Sequence, residues 1–246
     1  MQIYGLNKTT LLDYPEHIAA TIFTGGCNFR CPFCHNADLV SGCNKSELEL
    51  LKVEDVLNFL DKRKGILEGV CITGGEPTLQ KDLKHFVRRV KGLGYLVKLD
   101  TNGYRPHVLY ELLEEELLDY VAMDIKAAKV NYRRAAGLKD IELHRIEESI
   151  SLLKSSTISY EFRTTVVKGI HEIAEFEQIG RWLMGSRAYY LQAYRENENV
   201  LAIREAGQNS KIAVCEELHS YTKEEMYEMA ALARKYIDRV EVRGIE

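Results

Sequence analysis

The feature that most constrains the fold is a repeated pair of segments, a short apolar run followed by a stretch with helical spacing. The apolar runs have the length of buried strands, and the following stretches repeat apolar residues every three or four positions. Strands are predicted at 18–23, 69–73, 95–99, 120–123, 160–167 and 188–191. Helices are predicted at 53–60, 83–90, 108–113, 143–153, 173–183 and 226–237.

Strands that alternate with helices indicate an α/β protein with a parallel sheet and right-handed crossovers. Six such units fit an incomplete (β/α)6 TIM-like barrel better than a full eight, and an open doubly wound sheet is the competing architecture. Short flanking strands are expected at 1–6 and 240–243, and 196–218 has no assignment. We expect one domain over 1–246, with a ligand at the carboxyl ends of the strands.

Composition and charge exclude several other classes of protein. A hydrophobic content of 46% excludes a disordered chain, and a net charge of −4 gives no reason to expect nucleic acid or a membrane surface as partner. The chain has no apolar run of about 18 residues, and 1–6 lacks the basic start of a secretion signal. We therefore expect a cytoplasmic protein, whose six cysteines are reduced and suited to metal or redox chemistry.

Three of those cysteines, Cys27, Cys31 and Cys34, lie within eight residues on the loop that follows the first predicted strand. Soft sulfur ligands suit an iron–sulfur cluster or zinc. Three ligands on a four-iron cluster leave one iron open to bind a substrate. A zinc site needs a fourth ligand, which His35 or Cys43 could supply, although no second Cys/His pair with zinc spacing follows. Both metals remain open on the residues alone.

The C-x3-C-x2-C spacing, with the aromatic Phe33 before the third cysteine, resembles the signature of the radical S-adenosylmethionine (SAM) superfamily. The runs TLLDYP at 10–15, FTGGC at 23–27 and CHN at 34–36 resemble the activating proteins of anaerobic ribonucleoside-triphosphate reductase, relatives of the pyruvate formate-lyase activating enzymes. The resemblance implies a radical SAM-type barrel and a 4Fe-4S cluster on Cys27, Cys31 and Cys34. It also implies SAM on the open iron, beside Phe33 and His35.

Two further segments follow predicted strands. Gly74, Gly75 and Glu76 form a turn by themselves, and the resemblance implies that they hold the amino group of the methionine part of SAM. Asp100 and Thr101 precede an Asn-Gly turn, and the resemblance implies a monovalent cation there, beside the SAM carboxylate. The alternative for Asp100 is a capping role in a turn.

The remaining candidates come from the later strands. The resemblance implies that Asp124 and Lys126 contact the ribose and carboxylate of SAM, with a surface ion pair as the alternative. Arg163 could hold the SAM carboxylate or form a structural salt bridge. Gln192 stands where formate-lyase activators carry a SAM-contacting histidine, and this departure argues against a formate-lyase partner.

All these segments follow or end a predicted parallel strand, so a barrel would bring them to one rim. The other cysteines, Cys43, Cys71 and Cys215, are isolated, which argues against an auxiliary cluster, and Cys71 is expected in the core.

The implied reaction is reductive cleavage of SAM to a 5′-deoxyadenosyl radical, which takes hydrogen from a glycine of a partner glycyl radical enzyme. The resemblance favours anaerobic ribonucleotide reductase as that partner, with flavodoxin or ferredoxin as electron donor. The alternatives are another glycyl radical enzyme, a small-molecule substrate, and a zinc-stabilised binding module.

Overall fold

The computed structural model describes residues 1–40, 49–197, 199–206 and 218–245. Strands β1 to β8 are, in order, Ile3–Thr10, Ala19–Thr24, Gly69–Gly74, Leu96–Thr101, Tyr120–Asp124, Ser159–Val166, Tyr189–Ala193 and Val240–Arg243. The described α-helices, α1 to α9, are Ala37–Val40, Val53–Lys62, Leu83–Gly92, Pro106–Glu114, Tyr132–Ala135, Leu143–Ser155, Glu175–Trp182, Leu201–Ala206 and Lys223–Ala233. A short 3-10 helix covers Pro77–Leu79.

The eight strands form one sheet in sequence order, and β1 and β8 are its two edges. β1 is antiparallel to β2, and every later pair from β2 to β8 is parallel. Six strand–helix units run from β2 to β7 and are followed by β8. The α/β class and the incomplete barrel predicted from the sequence are therefore confirmed.

The structure corrects several predicted boundaries. β1 continues to Thr10, and the segment 240–243, expected as a flanking strand, is a seventh parallel strand against β7. The predicted helix at 226–237 begins earlier, at Lys223, because Thr222 and Glu225 form a capping box at its start. It also ends earlier, at Ala233. The unassigned stretch 196–218 contains α8. Residues 198 and 207–217 of this stretch lie outside the described part of the chain.

Four of the strands also extend into the segments that were predicted to follow them. β3 includes Gly74, β4 includes Asp100 and Thr101, β5 includes Asp124, and β7 includes Gln192. The polar residues looked like strand ends, because buried strands are predicted from apolar runs. In a barrel, alternate residues point inward, so polar side chains can continue the strands.

The amino end of the barrel is closed by the stretch that follows β1. Tyr14 is buried, and a Cβ atom on Gly69, the first residue of β3, would lie 2.7 Å from its ring. The Tyr14 ring also meets the ring of Tyr120, at the start of β5, with centroids 6.0 Å apart. Thr21 donates a hydrogen bond of 2.5 Å to Asp13. The segment 10–15 therefore lies at the end opposite the cysteine loop.

Within the described residues, none of the helices combines the length and the apolar character that crossing a lipid bilayer would require.

Candidate active site

The cysteine loop leaves β2 at the carboxyl end of the sheet and is fixed there by backbone hydrogen bonds. Gly26 has φ of +84°, a conformation that glycine adopts without steric cost. Its N–H donates to Leu39 (2.7 Å), and its carbonyl accepts from the N–H of Glu76 (2.8 Å). The N–H of Arg30 donates to the carbonyl of Ala136 (2.9 Å). The loop is thereby joined to the segments after β3 and β5.

One cavity of about 190 Å³ brings together every residue predicted for the site. From the cysteine loop and the segment after β3 these are Cys27, Cys31, Phe33, Cys34, His35, Gly74, Gly75 and Glu76. From the later strands they are Asp100, Thr101, Asp124, Lys126, Arg163 and Gln192. The predicted convergence at the rim is therefore observed, and the individual ligand roles stay predictions.

Six further lining residues were not predicted: Phe29, Asn36, Val40, Thr73, Asn102 and Thr165. Most of them stand beside predicted residues in the same short segments. Thr165 lies two positions after Arg163 on β6, so strand alternation alone places it on the same face.

Glu76 is fully buried and connects two segments of the rim. Its Oε1 accepts hydrogen bonds from the Thr78 N–H (3.1 Å), the Thr78 hydroxyl (2.5 Å) and the Thr101 hydroxyl (2.8 Å). Its Oε2 accepts one, from the N–H of Asn102 (2.7 Å). Burial raises the pKa of Glu76, and these donors oppose the rise. A carboxylate oxygen has two lone pairs, so Oε2 keeps the capacity for one more donor.

A line of alternating charges crosses the ends of β4, β5 and β6. Arg163 donates to Asp124 (2.5 Å) and to Asp100 (3.1 Å). Lys98 contacts the other oxygen of Asp100, and Lys126 contacts the other oxygen of Asp124 (2.8 Å). Burial alone would raise the pKa of Asp124, but Arg163 and Lys126 hold it well below its usual range.

The structure shows where these ion pairs lie, and the SAM contacts of the charged candidates stay predictions. Asp124 and Lys126 do form an ion pair, and it faces the cavity rather than the outer surface. Arg163 pairs with aspartates of the same site. Glu161, on the same strand, instead forms a two-pronged pair with Arg243 at 2.9 and 3.0 Å.

The three thiols of the loop are protonated groups that a metal would have to deprotonate. Burial raises the pKa of Cys27 to about 11 and that of Cys31 to about 12, and it also raises the pKa of Cys34. The charge of Lys126 opposes the rise at all three sulfurs. Metal binding would therefore release protons, as it does for thiolate sites in general.

An iron–sulfur cluster fits the donors at this site. The Cys27 sulfur accepts a hydrogen bond from the backbone N–H of Phe29 (3.4 Å) and lies 3.9 Å from the side-chain nitrogen Nδ2 of Asn102. N–H groups near the sulfur ligands tune the reduction potential of a cluster. The Nδ2 of Asn28, next to Cys27, is buried without a partner. Across the described ranges, no three His, Cys, Asp or Glu side chains converge on one metal ion. A cubane does not need that convergence, because its thiolates bind different irons.

His171 packs against the site without lining the cavity. It was not predicted, because its position follows no ligand spacing. Its Nδ1 accepts from the N–H of Val167 (3.0 Å), and its Nε2 lies 2.7 Å from the carbonyl of Lys126. Its ring lies 6.0 Å from that of Phe33. Burial lowers the pKa of His171. The neutral ring thus links the cysteine loop to the backbone that carries Lys126.

Two of the isolated cysteines, Cys43 and Cys215, lie outside the described residues. Cys71 is fully buried in β3, as predicted.

Comparison with known proteins agrees with this site. The sequence model of the radical SAM superfamily matches residues 21–183, and the chain belongs to that superfamily. A relative in Methanocaldococcus jannaschii, provisionally named a glycyl-radical enzyme activating enzyme, is 32% identical over 99% of this chain and 96% of its own. A provisionally named GTP 3′,8-cyclase of Thermococcus kodakarensis is 32% identical over 61% of this chain. This chain spans 47% of the cyclase.

The solved structures agree in fold. Streptococcus suis SuiB bound to S-adenosylmethionine matches with a TM-score of 0.65 over 90% of this chain and 49% of SuiB. The two are 12% identical, so the likeness concerns the fold alone.

Proposed function

We propose that this protein activates a glycyl radical enzyme, and that its partner is an anaerobic ribonucleoside-triphosphate reductase. The observation that carries the proposal is the relative matched over nearly its whole length, which bears the name of a glycyl-radical enzyme activating enzyme. The ribonucleotide reductase partner rests on the resemblance of the segments at 10–15, 23–27 and 34–36.

In this proposal Cys27, Cys31 and Cys34 hold a 4Fe-4S cluster, which when reduced supplies the electron that cleaves SAM. The remaining lone pair of Glu76 Oε2 accepts from the amino group of SAM. Lys126 and Arg163 attract the SAM carboxylate. Phe33 and His35 flank the third cysteine and line the cavity in which SAM would be oriented.

A protein substrate is compatible with the shape of the chain. The barrel accounts for most of the described residues, and the sheet ends in two edge strands, β1 and β8. A barrel of this minimal size leaves its rim accessible to a peptide loop that carries the target glycine.

The test begins with anaerobic iron reconstitution and metal analysis. About four irons per chain, with 5′-deoxyadenosine formed after reduction with SAM, are expected. One zinc per chain and no 5′-deoxyadenosine would instead support the zinc-stabilised module. Cys31→Ser should lose most of the iron. Cys71→Ser, which removes a buried thiol outside the loop, should keep it.

The partner is tested by adding the anaerobic ribonucleotide reductase to the reduced, SAM-loaded protein. The expected result is a glycyl radical doublet in the EPR spectrum, which Cys31→Ser should abolish. Turnover of SAM without a doublet would refute the partner and leave the cluster chemistry standing.

A second candidate is a small-molecule radical SAM reaction, which the similarity to GTP 3′,8-cyclases favours. Substrate-dependent formation of 5′-deoxyadenosine with GTP, in the absence of any partner protein, would support it.

A further inference from the structure

Lys98 lies inside the barrel, where an unpaired lysine would be costly. Its side chain is 3% exposed and belongs to β4. Its ammonium contacts Asp100 Oδ1 and lies 3.7 Å from the sulfur of Cys71. The ring of Tyr120 is 5.9 Å away. Among the described residues, Asp100 is the only carboxylate that forms an ion pair with Lys98.

The carboxylates of Asp100 and Asp124 are already surrounded by cations of the chain. Each of their four carboxylate oxygens already accepts from a cation: Lys98 and Arg163 on Asp100, Arg163 and Lys126 on Asp124. The hydroxyl of Thr101 is also engaged, since it donates to Glu76 and accepts from the N–H of Gly103 (3.1 Å). Each oxygen expected to bind a monovalent cation here thus already has a donor of the chain, and on Asp100 and Asp124 that donor is a cation that would repel a metal ion.

Charge counting leads to the same result. Three cations, Lys98, Arg163 and Lys126, lie in or beside the cavity with three carboxylates, Asp100, Asp124 and Glu76, so the charges of the chain balance. The nearby Glu161 is neutralised separately by Arg243. A further cation would leave one uncompensated positive charge in this buried network.

We infer that the ammonium of Lys98 takes the place of the monovalent cation that the resemblance implied beside Asp100 and Thr101. Lys98 is then a positioning residue: it neutralises Asp100, which in turn holds Arg163 in place for the carboxylate of SAM. Binding of SAM needs no added sodium or potassium. This inference rests on the part of the proposed function that places the SAM carboxylate at Arg163 and Lys126.

The test measures SAM affinity of the reconstituted protein by anaerobic equilibrium dialysis in sodium, potassium and choline chloride at equal ionic strength. For the native chain, we expect the three Kd values to agree within about a factor of two, which is under ~0.5 kcal/mol. The sodium-23 NMR line of the same samples should be unaffected by added potassium, because no sodium is held at the site.

The variant Lys98→Met removes the charge and keeps a similar length. In choline it should bind SAM at least about tenfold more weakly, and sodium or potassium should restore part of the loss. The control Lys91→Met removes the ion pair with Asp119, which directly precedes β5 and does not line the cavity. It should bind SAM equally in all three salts.

A native protein whose SAM affinity falls about tenfold in choline would overturn the inference, whether or not Lys98→Met folds. Displacement of bound sodium by potassium in the native NMR spectrum would do the same. A native chain that binds no SAM in any salt would refute the SAM site of the proposed function, and the inference with it. The two failures are therefore distinguishable.

Discussion

Replacement of Arg163 by methionine tests the charge network most directly, because this guanidinium is the only described link between Asp100 and Asp124. The substitution removes two hydrogen-bonded ion pairs, one of 2.5 Å to Asp124 and one of 3.1 Å to Asp100. It leaves two largely buried carboxylates, each with one remaining cation, Lys98 or Lys126.

The structure sets the expected size of the effect. Removing one partner of a buried ion pair costs about 3–5 kcal/mol, because an uncompensated charge remains. Here each carboxylate keeps a lysine, so we expect a loss near the lower end, about 3 kcal/mol. For a chain of this length that corresponds to roughly 6–12 °C in Tm.

The assay is thermal unfolding of anaerobically reconstituted protein, with native and variant samples matched for iron content. The control Arg181→Met removes an exposed pair with Glu177 and should cost under about 1 kcal/mol. The difference between native and Arg163→Met should shrink as the pH falls below about 4. The reason is that the depressed pKa of Asp124 stabilises the native fold only while that carboxylate is ionised. An Arg163→Met protein as stable as the control at pH 7 would refute the network argument.

Three further outcomes follow from single contacts. Burial lowers the pKa of His171, so the folded state disfavours protonation of its ring. The stability of the native protein should therefore fall as the pH drops below about 6.5. In His171→Gln, the Tm values at pH 7 and pH 5 should differ less than in the native protein. Gly75→Ala would put a Cβ 2.1 Å from the carbonyl oxygen of Gly26 and should lower Tm or prevent folding, whereas Gly92→Ala meets open space at the end of α3 and should not lower it. Thr222→Ala removes the capping box of α9 and should cost about 1 kcal/mol in thermal unfolding, and an unchanged Tm would contradict that role.

The sequence predicts the strands and helices well because the apolar periodicity of this barrel is regular. It also predicts which residues meet at the rim, since Glu76 and Lys126 each follow a strand and parallel strands share their carboxyl ends. The boundaries were less accurate where polar side chains such as Asp100 continue a strand on the inward face.

Lys98 and His171, which contact other residues of the site, were not predicted from the sequence, because their contacts depend on the tertiary structure. Lys98 in a strand gives no motif, and its effect appears only when Asp100 and Arg163 are seen on adjacent strands. His171 lies 45 positions from Lys126 in sequence, and their contact depends on how the segment after β6 folds back. Such contacts leave no local spacing to detect.

Tyr14, packed at the amino end of the barrel, belongs to the run TLLDYP, on which the proposed choice of partner partly rests. The run lies at the opposite end of the sheet from the cysteines. A run that supports the proposed partner and the residues that would hold the cofactors therefore lie at opposite ends of the same barrel. Substitutions at Tyr14 should therefore lower the stability of the barrel and leave the residues that line the cavity in place.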